Sequence, residues 1–171
     1  VRDARCAIGI DYLNASVPVV TLRTFSKAYG LAGLRVGYGV MPEPLVDLMN
    51  RVRQPFNVNS LAQVGALAAL EDDEFLQETK KTVREGLAFL YAELEKLQLR
   101  THPTQTNFFL IEVGYDGRKV YEAMLRRGVI VRAMNAYGLD NYIRISVGRH
   151  EENQRFVAAL KEVLAELNSS S

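Results

Sequence analysis

The spacing of apolar and polar positions changes character several times along the chain. Residues 17–22 (VPVVTL) form a short continuous run rich in β-branched side chains, which predicts a buried strand. Residues 34–40 (LRVGYGV) predict a second strand, weakened by Gly37 and Gly39. Met41-Pro42-Glu43-Pro44 then predicts a helix start, with Leu45, Leu48, Met49 and Val52 on one face. Asn59 and Ser60 are capping residues ahead of a helix over 61–70. That helix is apolar nearly all round, so burial on several sides is expected. Asp72 and Asp73 precede a third, longer helix whose stripe runs Leu76, Val83, Leu87, Leu90, Leu94 and Leu97, leaving a charged face for solvent.

The last third predicts a compact α+β unit. Residues 107–113 (NFFLIEV) read as a strand, 118–127 as a short helix closed by Gly128, and 129–132 and 142–147 as two more strands. A final helix begins near Glu151 and is expected to bury Phe156, Val157, Leu160, Val163, Leu164 and Leu167. Glu151 and Glu152 suit the positive end of its dipole. No internal repeat or low-complexity segment is present.

Composition narrows the class without choosing a function. With 171 residues, 48% apolar and 24% charged, the chain is neither a disordered tail, nor collagen-like, nor a disulfide-framed miniprotein. Twenty-one basic and twenty acidic residues leave a net charge of +1, so no electrostatic footprint for nucleic acid is visible. No apolar run approaches the roughly 18 residues of a membrane span. A single cysteine, Cys6, fits a reducing, cytoplasmic setting. The chain opens on Val1 with neither a basic nor an apolar leader region; the polar stretch 1–5 reads as a cut edge or a loop, and 168–171 as a frayed tail.

The informative chemistry lies between the first two strands. Thr24, Ser26, Lys27 and Arg35 are interleaved with Gly30 and Gly33 immediately after an apolar strand, where open α/β sheets bind ligands. Hydroxyls and a guanidinium fork suit a phosphate, and a lysine amine suits a carbonyl. Pyridoxal phosphate requires that combination. By spacing alone, a lysine in a glycine-rich loop is more often a solvated charge. The phosphate-loop pattern G-x-x-x-x-G-K-[ST] is absent, as is G-x-G-x-x-G before a helix. Downstream, Arg132 and Arg144 each fall on a predicted strand. Ile143, Ile145 and Val147 share one face, which leaves Arg144 on the other, where a solvated charge is the commoner outcome. His102 and His150 are isolated, with no partner at ligand spacing, so no metal is implied.

The contiguous stretch Thr24-Phe25-Ser26-Lys27-Ala28-Tyr29-Gly30-Leu31-Ala32-Gly33-Leu34-Arg35-Val36-Gly37 closely resembles the lysine signature of the fold-type I, class I/II aminotransferases. It is most similar to their histidinol-phosphate branch, as is the loop 133–138 (AMNAYG). The resemblance implies that Lys27 is the Schiff-base lysine and proton shuttle, and that Thr24, Ser26 and Arg35 surround the phosphate of pyridoxal 5'-phosphate. It implies that Arg144 takes the substrate anion and that Arg132 is the additional arginine of the histidinol-phosphate branch. Tyr29 is expected to pack or to touch the cofactor, and Asn107 to be structural with a secondary site role. Residues 54–59 (QPFNVN) fall near the family's subunit interface, so a homodimer contact is implied there.

The family's ring-binding Asp and Asn segments have no counterpart here; Asp11-Tyr12 lies too close to Lys27 to serve. The resemblance therefore implies an α/β fold in which residues 1–58 are the end of the large cofactor domain, 59–72 a connecting helix and 73–171 a small α+β domain. The implied activity is amino transfer between histidinol phosphate and 2-oxoglutarate, with this chain inactive alone. Two alternatives stay open. One is another class I/II enzyme, such as an aromatic aminotransferase or a threonine-phosphate decarboxylase. The other is a non-catalytic folding or dimerisation fragment. An exposed sheet edge and apolar surface are expected near 21–23.

Overall fold

The computed structural model describes residues 8–13 and 16–169. Cys6, the polar opening 1–5 and the last two serines lie outside the described residues. The chain divides within one long helix into two units, residues 2–80 and 81–171. No helix among the described residues is long and apolar enough to cross a membrane.

The first unit is built on an antiparallel ribbon of β1 (Thr21–Thr24) and β2 (Gly37–Val40), in register Thr21↔Val40 to Thr24↔Gly37. Both strands are shorter than their apolar runs. Pairing starts only at Thr21, because beyond its partner Val40 the chain turns through Pro42 into a helix. A 3-10 turn at Ala32–Leu34 and a left-handed Arg35 (φ 56°) delay β2 until Gly37. A Cβ at Gly37 would stand 2.6 Å from the Arg23 carbonyl oxygen, so the strand depends on the missing side chain. Leu22, on the edge strand, is 75% exposed, as the sequence implied.

Helix α1 (Glu43–Val52) carries Pro44 in its first turn, and α2 (Ser60–Glu71) is capped by Asn59, whose side chain accepts the Ala62 N–H at 2.8 Å. The expected many-sided burial of α2 is not found. Only Ala62 and Ala66 are buried; Leu61, Val64 and Leu67 face outward, Leu61 being 77% exposed. Residue size decides the packed face. Ala62, Gly65 and Ala66 let the backbone approach closely, and a Cβ at Gly65 would already sit 3.0 Å from Leu34 Cδ1.

The long helix α3 (Asp73–Lys96) starts where Asp72 accepts the Phe75 N–H and ends where Gln98 (φ 56°) lets the Leu99 N–H turn back to the Leu94 carbonyl. In the second unit, β3 (Arg100–Thr101), β4 (Phe108–Glu112), β5 (Arg132–Ala133) and β6 (Tyr142–Ser146) form an antiparallel sheet in the order β3-β4-β6-β5. β3 was not anticipated, and β5 holds only Arg132 of the residues expected for it, with Ala133 added. After Gly128 (φ 71°) the Val129 N–H still caps α4 (Gly117–Arg126) through the Met124 carbonyl, so the chain reaches β6 only at Arg132.

One sheet face carries Phe109, Ile111, Ile143 and Ile145 into a core with Leu90 and Leu94 of α3, Val120 and Met124 of α4, and Phe156, Leu160 and Val163 of α5 (His150–Ser169). Each such side chain contributes roughly 1.5–3 kcal/mol relative to exposure. Val157, Leu164 and Leu167 pack at its margin. Of the expected frayed end, Asn168 and Ser169 belong to the last turn of α5, where the Tyr115 hydroxyl donates to the Asn168 carboxamide oxygen.

Asn153 was not anticipated in this core. Its Oδ1 accepts the Gly148 N–H at 2.9 Å and its Nδ2 donates to the Gly148 carbonyl at 3.0 Å, so a buried side chain completes the turn after β6 as a neighbouring strand would. Replacing Asn153 with Ala leaves both backbone groups unpaired and is expected to cost about 1–3 kcal/mol. Urea unfolding would register a lower midpoint at unchanged slope; an unaltered midpoint would remove this role.

Candidate functional site

In the first unit the ribbon brings both ends of the glycine-rich segment together. Thr24 closes β1 opposite Gly37, and the Phe25 N–H extends the ladder to the Val36 carbonyl at 3.3 Å. Thr24, Ser26 and Arg35 therefore leave the same end of the ribbon. Thr24 Oγ1 accepts the Ser26 N–H at 3.0 Å, a local turn that leaves the threonine's own proton free to donate. Lys27 follows, exposed, in a turn closed by the Gly30 N–H on the Lys27 carbonyl at 2.9 Å. Gly30 takes φ 68°, a conformation that suits glycine, whereas Gly33 has ordinary φ and open space around it.

Arg35 is the strained residue of this segment. Its left-handed backbone is uncommon for a side-chain-bearing residue, and its Nη1 donates to the Ala32 carbonyl at 2.7 Å. That bond fixes the fork by one nitrogen and leaves its other N–H groups free. Phe25 is buried beneath the segment, 5.1 Å from the Tyr29 ring and 5.9 Å from Tyr38, so Tyr29 packs. Two hydroxyls, an ammonium and a guanidinium on one tied-down turn are the donor set of a phosphate-bearing aldehyde.

In the second unit the structure joins the two sequence-derived arginines directly. Arg132 of β5 and Arg144 of β6 are Cα partners across the ladder, so both side chains stand on the sheet face opposite the core. Each guanidinium has an aromatic seat. Arg144 Cζ lies 5.0 Å from the centre of the Phe108 ring, and Arg132 Cζ lies 5.5 Å from that of Tyr137. Arg132 Nη2 also donates to the Tyr137 hydroxyl at 3.0 Å. Among the described residues, neither arginine has a carboxylate within ion-pair distance. The Asn107 carbonyl accepts the Val147 N–H at 2.8 Å, extending the ladder beneath this face. His102 and His150 rest against Tyr142 and Phe89.

Sequence reasoning missed Tyr137, Phe108, Asn135 and Asp116. Tyr137 ends a 3-10 turn, Asn135–Tyr137, closed by Gly138 at φ 72°. Asn135 Nδ2 donates to both Asp116 Oδ1 and Asp140 Oδ1 at 3.2 Å, and Asp116 also caps α4 by accepting the Arg118 N–H at 2.8 Å. The sequence signal was an aromatic five residues beyond Arg132 in a turn closed by glycine.

The α/β fold is that of solved fold-type I, pyridoxal-phosphate-dependent aminotransferases. The match to the family described as aminotransferase class I and II runs over residues 3–160, and the chain belongs to that family. It is 55% identical over 150 residues to the histidinol-phosphate aminotransferase of Desulfotalea psychrophila, covering 88% of this chain and 40% of that one. The histidinol-phosphate aminotransferase of Sinorhizobium meliloti, solved in complex with pyridoxal-5'-phosphate, superposes with TM-score 0.80 at 30% identity, covering 86% of this chain and 41% of that one. The L-threonine-O-3-phosphate decarboxylase of Porphyromonas gingivalis gives TM-score 0.74 at 30% identity, covering 85% and 46%. The chain spans about two fifths of the length of the curated relatives it matches.

Asp116 makes the Asn135 turn sensitive to acid. The Arg118 N–H first, and the Asn135 carboxamide second, hold its carboxyl below the usual carboxylate range. A lowered folded-state value means that this stabilisation is full above the ordinary range and is lost as pH falls through the lowered value. Acidification below about pH 4 is expected to destabilise the protein more than its Asp116→Asn variant. Parallel pH profiles of unfolding for the two proteins would exclude the linkage.

Proposed function

We propose that this chain is the C-terminal portion of a pyridoxal-phosphate aminotransferase that exchanges an amino group between histidinol phosphate and 2-oxoglutarate. The observation that carries this reading is the Arg132↔Arg144 register, which sets two uncompensated guanidinium forks side by side. A phosphate dianion supplies enough oxygens and charge for both forks, whereas one fork satisfies a carboxylate. The 55% identity with a relative of that name over 88% of the chain supports the same choice.

Lys27, Thr24, Ser26 and Arg35 are the residues that would hold the cofactor. When bound, it supplies a carbonyl for the lysine amine and an electron sink for the substrate carbon bearing nitrogen. Thr24 and Ser26 would donate hydroxyl protons to its phosphate, and Arg35 would present a fork whose direction is set by the Ala32 carbonyl. Lys27 Nζ would take a proton from the substrate carbon that bears nitrogen and hold it for delivery to a second carbon, the 1,3-shift that amino transfer requires. Arg144 grips the anionic group of either amino donor, and Arg132 adds the second charge that a phosphate requires. The 171 residues alone are not expected to turn over, because the resemblance places the groups that bind the ring elsewhere.

A two-part experiment tests this. Pyridoxal phosphate with borohydride, followed by peptide mapping, is expected to label Lys27 in the full-length polypeptide. Label spread over surface lysines would exclude the cofactor assignment. In the same enzyme, Arg132→Ala is expected to raise the KM for histidinol phosphate about tenfold or more, the weight of a lost charge-assisted contact. Unchanged turnover of histidinol phosphate would remove the phosphate-gripping role from Arg132, and carbon dioxide release from phosphothreonine as the main reaction would transfer the reading to the decarboxylase alternative.

The proposed partner is a second copy of the chain, meeting it at residues 54–59. Phe56 has φ 55° and is 95% exposed, yet its loop is braced by Arg53 donating to Asn50 and Asn57 and by Gln63 donating to the Val58 carbonyl. A braced, strained loop that presents an aromatic to solvent fits an association surface. Sedimentation of Phe56→Ser in the full-length polypeptide is expected to shift toward monomer; an unshifted dimer would place the contact elsewhere.

A further inference from the structure

We propose that Tyr137, with its turn clamped by Asn135, is the residue that tunes the Arg132–Arg144 pair toward a doubly charged phosphate over a singly charged carboxylate. This rests on the reading above that the pair takes the substrate's anion. The starting point is an electrostatic conflict. Directly opposed like charges on one sheet face destabilise it, and long side chains relieve the conflict by swinging apart. Once apart, the two forks no longer converge on one anion. Arg144 is restrained by Phe108, its diagonal neighbour within the ladder, since Phe108 pairs with Ser146. Arg132 lies on a two-residue edge strand, and the ring diagonal to it in the ladder, Tyr142, packs against His102. Its seat comes from the following turn.

Tyr137 meets Arg132 in two ways. Its ring lies beneath the guanidinium carbon, and its hydroxyl accepts from Nη2. The ring restrains the plane of the fork and the hydroxyl restrains its rotation within that plane. Neither contact neutralises the charge, so both positive charges stay available to a ligand. A carboxylate that engages Arg144 alone gains little from this arrangement. A phosphate that spans both forks gains directly, because it finds Arg132 already oriented.

The turn is itself fixed from outside. Asn135 donates both amide protons, to Asp116 at the start of α4 and to Asp140 just before β6. The Gly117 N–H donates to the Asp140 carbonyl at 2.7 Å, and a Cβ on Gly117 would stand 2.5 Å from the Tyr142 carbonyl oxygen, so α4 and the strand entry are held close. Asn135 is thus a positioning residue, acting on Arg132 through Tyr137.

The test is kinetic and uses the full-length holoenzyme. Tyr137→Phe, Tyr137→Leu and Asn135→Ala are compared with Arg132→Ala for histidinol phosphate and for glutamate. Tyr137→Phe is expected to raise the KM for histidinol phosphate about threefold to tenfold relative to that for glutamate, with kcat within about twofold. Tyr137→Leu, which loses ring and hydroxyl, is expected to go further, and Asn135→Ala to follow Tyr137→Phe. If Arg132→Ala shifts the KM ratio and the Tyr137 variants do not, the inference is overturned and the proposed function stands. If Arg132→Ala also leaves the ratio unchanged, the reading beneath it fails too. If the Tyr137 variants lower kcat for both substrates equally, together with the melting temperature, the role is only structural and the inference is overturned.

Discussion

Strand β6 lies between β4 and β5, and its register decides what each face of the second unit can do. Ile143 and Ile145 enter the core while Arg144, between them, emerges on the opposite face. Because side chains alternate, a slip of one residue would drive Arg144 into the apolar cluster and expose both isoleucines. The cost of burying an unpaired guanidinium makes that slip prohibitive. Hydrophobic burial thus specifies the position of a charged group that touches none of the core. The same register places Arg132 beside Arg144, and Asn153 secures it by completing the turn at Gly148.

A parallel constraint governs the first unit. A two-stranded ribbon has little stability of its own, yet its pairing fixes where the loop between the strands begins and ends. Thr24 and Arg35 leave one end of the ribbon because Thr24 pairs with Gly37 and Phe25 bonds to Val36. The left-handed backbone at Arg35 costs of order 1–3 kcal/mol. The bond to the Ala32 carbonyl and the burial of Phe25 beneath the loop oppose that cost. What the strain achieves is a guanidinium held by one nitrogen, with its remaining donors turned to other uses.

The elements legible in the sequence were those whose own pattern decides them. β4 and β6 alternate cleanly, α4 ends at a glycine stop, and the stripes of α3 and α5 point into one core. The illegible elements were decided by partners. β3 and β5 are two residues each and exist because a neighbour is in register. β1 starts late because its partner leaves the ladder after Val40 for Pro42 and α1, and α2 packs by its small residues although apolar side chains run nearly all round it. The site divides in the same way. Lys27 and its neighbours stood out as candidates because the signature is contiguous, and the face of Arg144 was legible from strand alternation. Tyr137, Phe108 and Asn135 were not, since their contacts depend on the register of β6 and the closure of one turn.

The treatment of cations completes this division of labour. Arg127 is anchored by Glu162 at 3.1 Å and Glu166 at 2.7 Å, tying α4 to α5 and raising its pKa above the ordinary arginine value through those two bonds, Glu166 first. Arg51, Lys96 and Arg149 pair with carboxylates three or four residues away on the surface, contacts of little energetic weight. Arg132 and Arg144 are handled differently, with aromatic rings where the other cations have carboxylates. A carboxylate would have fixed these side chains equally well, but it would have cancelled the charge and occupied the donor edge. A ring restrains a guanidinium through its face and leaves the edge, where the N–H donors point, largely open. The choice of restraint therefore separates cations tied to carboxylates from cations whose donor edges stay open.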